Sequence, residues 1–509
     1  MPEKLGDTLN PSKDYEENGI DLEVFSNWNI IIASNRGPIK NTEDEQGNIV
    51  QERGSGGLIT GLSGALKFID ATWISTAQTP QDIDFDEGYA PLMMSEKDIR
   101  IKYINPDPDA YDGYYKVIAN PLIWFLQHSM WNVPSEPVID HTTWQAWHKG
   151  YLEVNQLFAD EIVSLINKAN QKTLVMLQDY HLYMTAKYIR NKISTKNQPT
   201  ILHFIHIPWP GPEYWKILPP AMRQKILESL CSVDLLGFQT DQDSLNFIRT
   251  VESHLSNASV SFEHRCIDYH NHITEIREFP ISIDIDSLEA MAQDKEVLEN
   301  KQMFQETISG KKLILRVDRV DPSKNIVRGF KAYQELLILH PEYREKVIFL
   351  AILVPSRRGI EEYQDYLDKI MAITGQINAD FGSKDWEPVR ILVGDDYKRA
   401  LGAMLLYDIL LVNAIADGMN LVAKEGPIIN GQNGVLILSE STGASIELAP
   451  GSTIVSACDI YATAEAMHQA LSMAPEEKEK RTTKLKSIIR QNDIYKWFTD
   501  QLQAVLELK

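Results

Sequence analysis

The residues best suited to chemistry lie in short segments that directly follow apolar runs. Asp417-Gly418-Met419-Asn420-Leu421-Val422-Ala423-Lys424-Glu425 comes after the run Tyr407–Val412, and apolar residues then recur at roughly helical spacing to Ile429. This reads as strand, glycine-bearing loop and helix, with backbone N–H groups at the helix start free to face an anion. Gly418 can supply a backbone conformation closed to other residues. Asp417 and Glu425 add carboxylates suited to the hydroxyls of a sugar or a ribose. Arg319 and Lys324 stand five residues apart in Val317–Asn325. Two cations in one loop suit a diphosphate leaving group, whose developing charge they would stabilise. In isolation the same segment reads as a surface network with Asp318 and Asp321.

Other segments repeat the pattern. Arg36 follows an apolar run within Ser34–Pro38, and Gly57 lies in the glycine-rich Gly54–Leu58. An arginine after a strand can clamp phosphate bidentately, and glycines allow close backbone approach, although a plain flexible loop is the competing reading. Val354-Pro355-Ser356-Arg357-Arg358-Gly359 offers a further anion clamp. Asp179 follows the run ending at Leu177, and His206 precedes Pro208, Pro210 and Pro212. Prolines stiffen that segment, as suits a residue held in one orientation beside a substrate. His203 and His206 lack a third ligand at useful spacing, which disfavours a zinc pair. No Walker-type GxxxxGK[ST] is present, and no Asp-x-Asp sits at a strand end as a clear metal site.

The elements that must position these loops alternate between buried runs and amphipathic segments, the mark of an α/β protein. Trp28–Ala33, Thr173–Leu177, Thr200–Ile205, Lys312–Val317 and Val347–Leu353 read as strands. A boundary falls near Phe279–Asp284, after which a second strand–helix series begins. The expected units are residues 1–280, 281–490 and a C-terminal helix, 491–509, that packs back on the first unit. Ligand loops at strand ends in two α/β halves imply binding in the cleft between them. At 509 residues two domains are the prior, and 43% hydrophobic with 24% charged residues is ordinary for a globular protein. A net charge of −21 argues against nucleic-acid or anionic-membrane partners. Three widely spaced cysteines point to a reducing compartment without structural zinc. A polar, acidic N-terminus and the lack of long apolar stretches lead to the expectation of a cytoplasmic soluble protein.

In order and context these motifs resemble the trehalose-6-phosphate synthase family of retaining glycosyltransferases, from about Trp28 to the C-terminal helix. The resemblance is carried by His206-Ile207-Pro208-Trp209-Pro210, Asp234-Leu235-Leu236-Gly237-Phe238-Gln239-Thr240, Arg319 with Lys324, and the Asp417–Glu425 nonapeptide. It implies a GT-B fold, two Rossmann-like domains facing across a donor cleft. By resemblance, Gly57, Arg319, Lys324, Met419, Asn420, Leu421 and Val422 would contact the nucleotide diphosphate of a donor, with UDP-glucose expected. Glu425 would hold the ribose, and Asp417 with His206 the donor sugar. Arg36, Tyr115 and Arg358 would grip the phosphate of a phosphorylated sugar or polyol acceptor, with Trp124 and Asp179 lining its pocket. His206, Arg319, Lys324 and Asp417 form the implied catalytic set. The front-face mechanism proposed for such enzymes lets the departing phosphate oxygen accept the acceptor proton. No carboxylate nucleophile pair, metal or other cofactor is expected, and a homo-oligomer is compatible.

The sequence also departs from the family. Thr76 stands about where the family carries a tryptophan facing the acceptor sugar, Ala416 replaces a basic residue and Gln178 a histidine. The regions around Thr76 and Trp209–Trp215 look similar to pseudo-glycosyltransferases that join aminocyclitol units. That gives a second reading, coupling of a nucleotide-cyclitol to an amino-cyclitol phosphate. A third, of another class, is a non-catalytic sugar-phosphate sensor.

Overall fold

The computed structural model describes residues 22–44, 46–53, 69–85, 87–91, 98–357 and 359–508. The first half contributes β1 (Asn29–Ala33), β2 (Ile39–Glu43), β3 (Ile49–Arg53), β4 (Thr72–Thr76), β5 (Glu87–Pro91) and β6 (Asp98–Ile104). After a helical stretch come β7 (Thr173–Gln178), β8 (Thr200–Phe204), β9 (Leu235–Phe238), β10 (Ala258–Ser261), β11 (Cys266–Tyr269) and β12 (His272–Glu278). The second half contributes β13 (Lys312–Arg319), β14 (Val347–Val354), β15 (Val389–Val393), β16 (Ile409–Val412), β17 (Val435–Ser439) and β18 (Thr453–Val455).

These strands make a ten-stranded sheet, β10-β11-β12-β9-β8-β7-β1-β4-β6-β5, and a six-stranded sheet, β15-β14-β13-β16-β17-β18, with β2 and β3 as a separate hairpin. The second sheet is wholly parallel. From β12 to β6 the first sheet is parallel too. Counted within its half, each parallel set runs outward in both directions from its first strand, the Rossmann order. The order therefore reverses between β1 and β7 in one sheet and between β13 and β16 in the other. Crevices outside the carboxyl ends of such strand pairs are where open α/β sheets bind ligands. Loops following β1, β7, β13 and β16 carry Arg36, Asp179, Lys324 and Asp417.

Strand sequences explain the layering. Ile30 and Ile32 of β1, with Leu174 and Met176 of β7, pack into one apolar cluster, while Ile31, Ala33, Val175 and Leu177 pack into another on the opposite face. Such two-sided burial gives continuous apolar runs rather than alternation. The first cluster continues through Phe279, Ile281 and Ile283 into Leu313, Leu410 and Leu436 of the second half, so one core joins both sheets. The helix Ile494–Glu507 starts with the Asp493 carboxylate accepting from Lys496 N and sets Trp497 edge-on against Phe204, ring centroids 5.4 Å apart. Arg277 of β12 pairs with Glu507 at its far end, at 2.6 Å. The chain's last helix thus closes over the first half. No helix among the described residues is long and apolar enough to cross a membrane.

Candidate active site in the cleft between the two halves

The loops after β13 and β16 are bonded to each other before any ligand enters. Ile415 N donates to Ser323 O at 2.8 Å, and the Lys324 ammonium forms an ion pair with Asp417. The turn carrying Lys324, Pro322–Lys324, is shaped by the Asp321 carboxylate, which accepts from Ser323 N at 3.0 Å and Ser323 Oγ at 2.9 Å. Asp417 also accepts from Asn420 Nδ2 at 3.0 Å, and Asn420 holds the left-handed backbone at φ +73. Burial raises the Asp417 carboxyl, but the charge and hydrogen bond of Lys324, with His128 and Asn420, together outweigh it and leave the pKa below the usual carboxylate range. The helix Val422–Ile429 starts at this loop, where the Asn420 side-chain oxygen accepts from Ala423 N at 3.4 Å. The positive end of its dipole lies at the loop. Arg319 differs from Lys324 in being 43% exposed, 3.9 Å from Asp321 and above the Trp124 ring.

Gly418 fixes how closely the halves meet. A Cβ there would lie 2.0 Å from the carbonyl oxygen of His206, so only glycine lets the Asp417 loop reach the His206 segment. The His206 ring bonds Gln178 Oε1 through Nε2 at 2.9 Å and lies edge-on to Phe204. Burial, with a smaller effect from His203, pushes the His206 pKa down to about 3, so the ring is neutral at any working pH. Asp179, at φ +71, accepts from His206 N at 3.2 Å. Burial pushes its carboxyl up to about 7, against the opposing pull of backbone N–H bonds and of Arg357 and Arg319. His203 Nε2 bonds the Asp179 carbonyl at 3.0 Å, so the two histidines support the loop rather than pair as metal ligands.

A second set of contacts crosses the cleft. Trp124 Nε1 donates to Asp321 at 3.4 Å, while its ring stacks on His128 at 4.0 Å and faces the Arg357 guanidinium at 3.9 Å. Arg357 donates to Asp321 at 2.5 Å, to the Tyr363 hydroxyl at 2.8 Å and to the Tyr180 hydroxyl at 3.3 Å. Burial raises the Asp321 pKa, but Arg357 and Arg319, with His128 and Lys324, together outweigh it and leave the group firmly ionised. Nearby, Arg36 donates to the Tyr115 hydroxyl at 3.2 Å, and the Tyr115 ring stacks between Tyr111 and His181. Glu425 accepts from Tyr397 at 3.0 Å at the outer side of the Val422 helix.

His206, Asp179, Trp124, Lys324, Arg319, Asp417, Asn420 and Gly418 therefore share one cleft, with Arg36 and Tyr115 on its first-half wall and Glu425 on its second. Met419 is buried, and Leu421 and Val422 sit at the helix start. Gly57 and Arg358 lie outside the described residues. Arg357, the described arginine of that loop, lies in the cleft. Its sequence signal was the pair of arginines after a buried strand. Lys424, in the middle of the nonapeptide, is fully buried and bonds the Ile281 carbonyl and Glu447, each at 2.9 Å. It ties the loop to the linker rather than facing the cleft. Thr76 is buried at the end of β4, its hydroxyl 3.4 Å from Asn35 Oδ1. One group of three potential metal ligands, His340, Glu342 and His468, occurs among the described residues. It lies at the opposite end of the helix Ile326–Leu339 from the Lys324 turn, and its two rings stack at 3.8 Å and 7°, so their lone pairs do not converge.

The model of glycosyltransferase family 20 matches residues 28–507. The UDP-forming alpha,alpha-trehalose-phosphate synthase of Botryotinia fuckeliana is 32% identical over 94% of this chain and 89% of its own length. A bifunctional trehalose-6-phosphate synthase/phosphatase of Thermoproteus tenax is 29% identical over 94% of this chain, which spans only 64% of that longer protein. The crystal structure of a UDP-forming trehalose-phosphate synthase of Burkholderia xenovorans in complex with glucose-6-phosphate superposes with a TM-score of 0.81 at 27% identity, covering 94% of this chain and all of the other. Two Rossmann-ordered sheets, switch-point loops that converge on one cleft, and a match along nearly the whole sequence place this chain in glycosyltransferase family 20.

Proposed function

We propose that the protein is a retaining hexosyltransferase that moves glucose from a nucleotide-glucose, UDP-glucose foremost, to a phosphorylated sugar or polyol. The observation that carries this reading is the meeting of Lys324, Arg319 and the N-terminus of the Val422–Ile429 helix at the β13/β16 switch point. Positive charge converges there where a diphosphate would leave. Asp417 and the neutral His206 would hold hydroxyls of the donor sugar, and Glu425 those of the ribose. Loss of the diphosphate leaves positive charge on the anomeric carbon. In a front-face transfer the departing phosphate oxygen takes the acceptor proton, so the protein's part is to orient both substrates and stabilise the leaving group. Arg319 and Lys324 supply that stabilisation in our reading, without a metal ion at the reacting atoms.

On the first-half wall, Arg36 and Tyr115 would bind the acceptor phosphate, joined by the arginine pair of the β14 loop, with Trp124 and Asp179 beside the acceptor ring. Thr76 offers no aromatic face to that ring, which favours an acceptor pose or identity that differs from the relatives' own. Calorimetry with UDP in the presence of a chelator tests the donor half. Binding without added metal is expected, and binding that requires magnesium would overturn the metal-free assignment.

A further inference from the structure

Arg316, like Asp321 and Lys424, is a fully buried charge of the second half. It sits in β13, the central strand beside the switch point, with no solvent-accessible surface. An arginine in the middle of a parallel sheet is costly unless its donors are matched. Here the guanidinium occupies space left by Gly329 in the helix Ile326–Leu339, where a Cβ would come within 2.9 Å of Arg316 Nη2. Nη1 donates to the Lys324 carbonyl at 2.8 Å and to Asp318 at 3.1 Å, and Nη2 donates to Asn413 Oδ1. Asn413 directly follows β16, and its own carbonyl accepts from Asn325 Nδ2 at 2.9 Å. One planar fork thus grips the loop after β13 and the start of the loop after β16. Those are the two loops whose side chains meet as Lys324 and Asp417.

We propose that Arg316 is a positioning residue for Lys324, holding the two switch-point loops in register so that the Lys324 ammonium is aimed at the donor's leaving group. The inference rests on the donor reading of the cleft. Its geometry demands the guanidinium fork, because an ammonium is a single point charge and cannot match two divergent acceptors with fixed direction. Charge alone is therefore insufficient. Asp318 is the fork's third partner and keeps the buried charge paired.

A double-mutant cycle tests this, with kcat and KM for UDP-glucose measured on Arg316→Met, Lys324→Ala and the double variant, and glucose 6-phosphate as acceptor. Arg316→Met is expected to lower kcat by about 10²-fold, the scale of a 1 Å misplacement of a catalytic group. In the Lys324→Ala background it should add less than about 2-fold, because the residue it positions is already gone. Arg316→Lys should remain impaired. Multiplying losses in the double variant, or full rescue by Arg316→Lys, would overturn the inference while leaving the donor reading intact. Normal turnover in Lys324→Ala would overturn the donor reading and this inference together. Asn413→Ala, which keeps the buried ion pair and removes one anchor, covers the case in which Arg316→Met fails to fold. Its smaller kcat loss should likewise vanish without Lys324, and a loss that persists there overturns the proposal.

Discussion

Arg319 and Lys324 differ in what holds them, and that difference sets separate expectations. Lys324 is already paired with Asp417, so a donor must take over part of its charge, while Arg319 stands half-exposed beside Asp321 and over the Trp124 ring. Lys324→Ala should lower turnover about 10²–10³-fold, the range for losing one preorganised charge-stabilising donor, and should lower the melting temperature because the Asp417 carboxylate loses its partner. Near-normal steady-state turnover would remove it from the leaving-group clamp. Asp179 gives a pH signature. Its folded pKa of about 7 lies above the ordinary value near 4, so the folded protein holds the proton more tightly than the unfolded chain. Stability should therefore fall as pH rises from about 4 to about 7. Acceptor binding that needs the carboxylate should strengthen as pH passes about 7. A kcat/KM profile for the acceptor checks this, and Asp179→Asn should lose the acid limb. At this scale the sequence was legible where charge type mattered. It was mute on partners that come from distant segments. Trp124 and Gln178 were named only through the family resemblance, and nothing local shows Gln178 under His206 or Trp124 between His128 and Arg357.

At the scale of elements, the strand–loop–helix units were readable because buried parallel strands are continuous apolar runs. Lys312–Val317 extends in the structure to Arg319, and Thr173–Leu177 to Gln178. The helix foreseen from Leu421 starts at Val422. Strand order was not readable, since periodicity carries no information about which strands are neighbours, yet that order creates the two switch points. Gly418 shows an element-level constraint that appears only when the halves are assembled. Gly418→Ala would place a Cβ 2.0 Å from His206 O, so one of the two loops must move by about 1 Å or more. A loss of about 10²-fold in turnover is expected from such a displacement. UDP affinity should fall less, because the Lys324 side is untouched. Unchanged kcat would mean that the close approach of these loops is incidental.

Across the whole molecule, one apolar core joins the sheets, and the C-terminal helix seals it. Trp497 is 2% exposed and packs on Phe204 directly behind His206. Trp497→Ala should cost about 3–5 kcal/mol, as for other buried large-to-small changes. Thermal unfolding followed by circular dichroism would show the loss, and an unchanged melting temperature would contradict the packing account. The amphipathic pattern of Ile494–Leu508 revealed a helix expected to pack back on the first half, but not that Trp497 would meet Phe204, because an apolar stripe does not name its partner residues. Lys424 carries the same lesson, a charge inside a motif that is spent on holding the linker at Ile281. The central claim is retaining transfer of a hexose to a phosphorylated acceptor through this cleft. It is tested most directly by incubating the protein with ¹³C-labelled UDP-glucose and a panel of sugar and polyol phosphates in chelator. The product is then read by mass spectrometry and by the anomeric signal in NMR. A phosphorylated product that carries the labelled hexose in the donor's own α configuration is the expected result. An inverted product, a product formed only with unphosphorylated acceptors, or no consumption of donor with any acceptor would contradict the account.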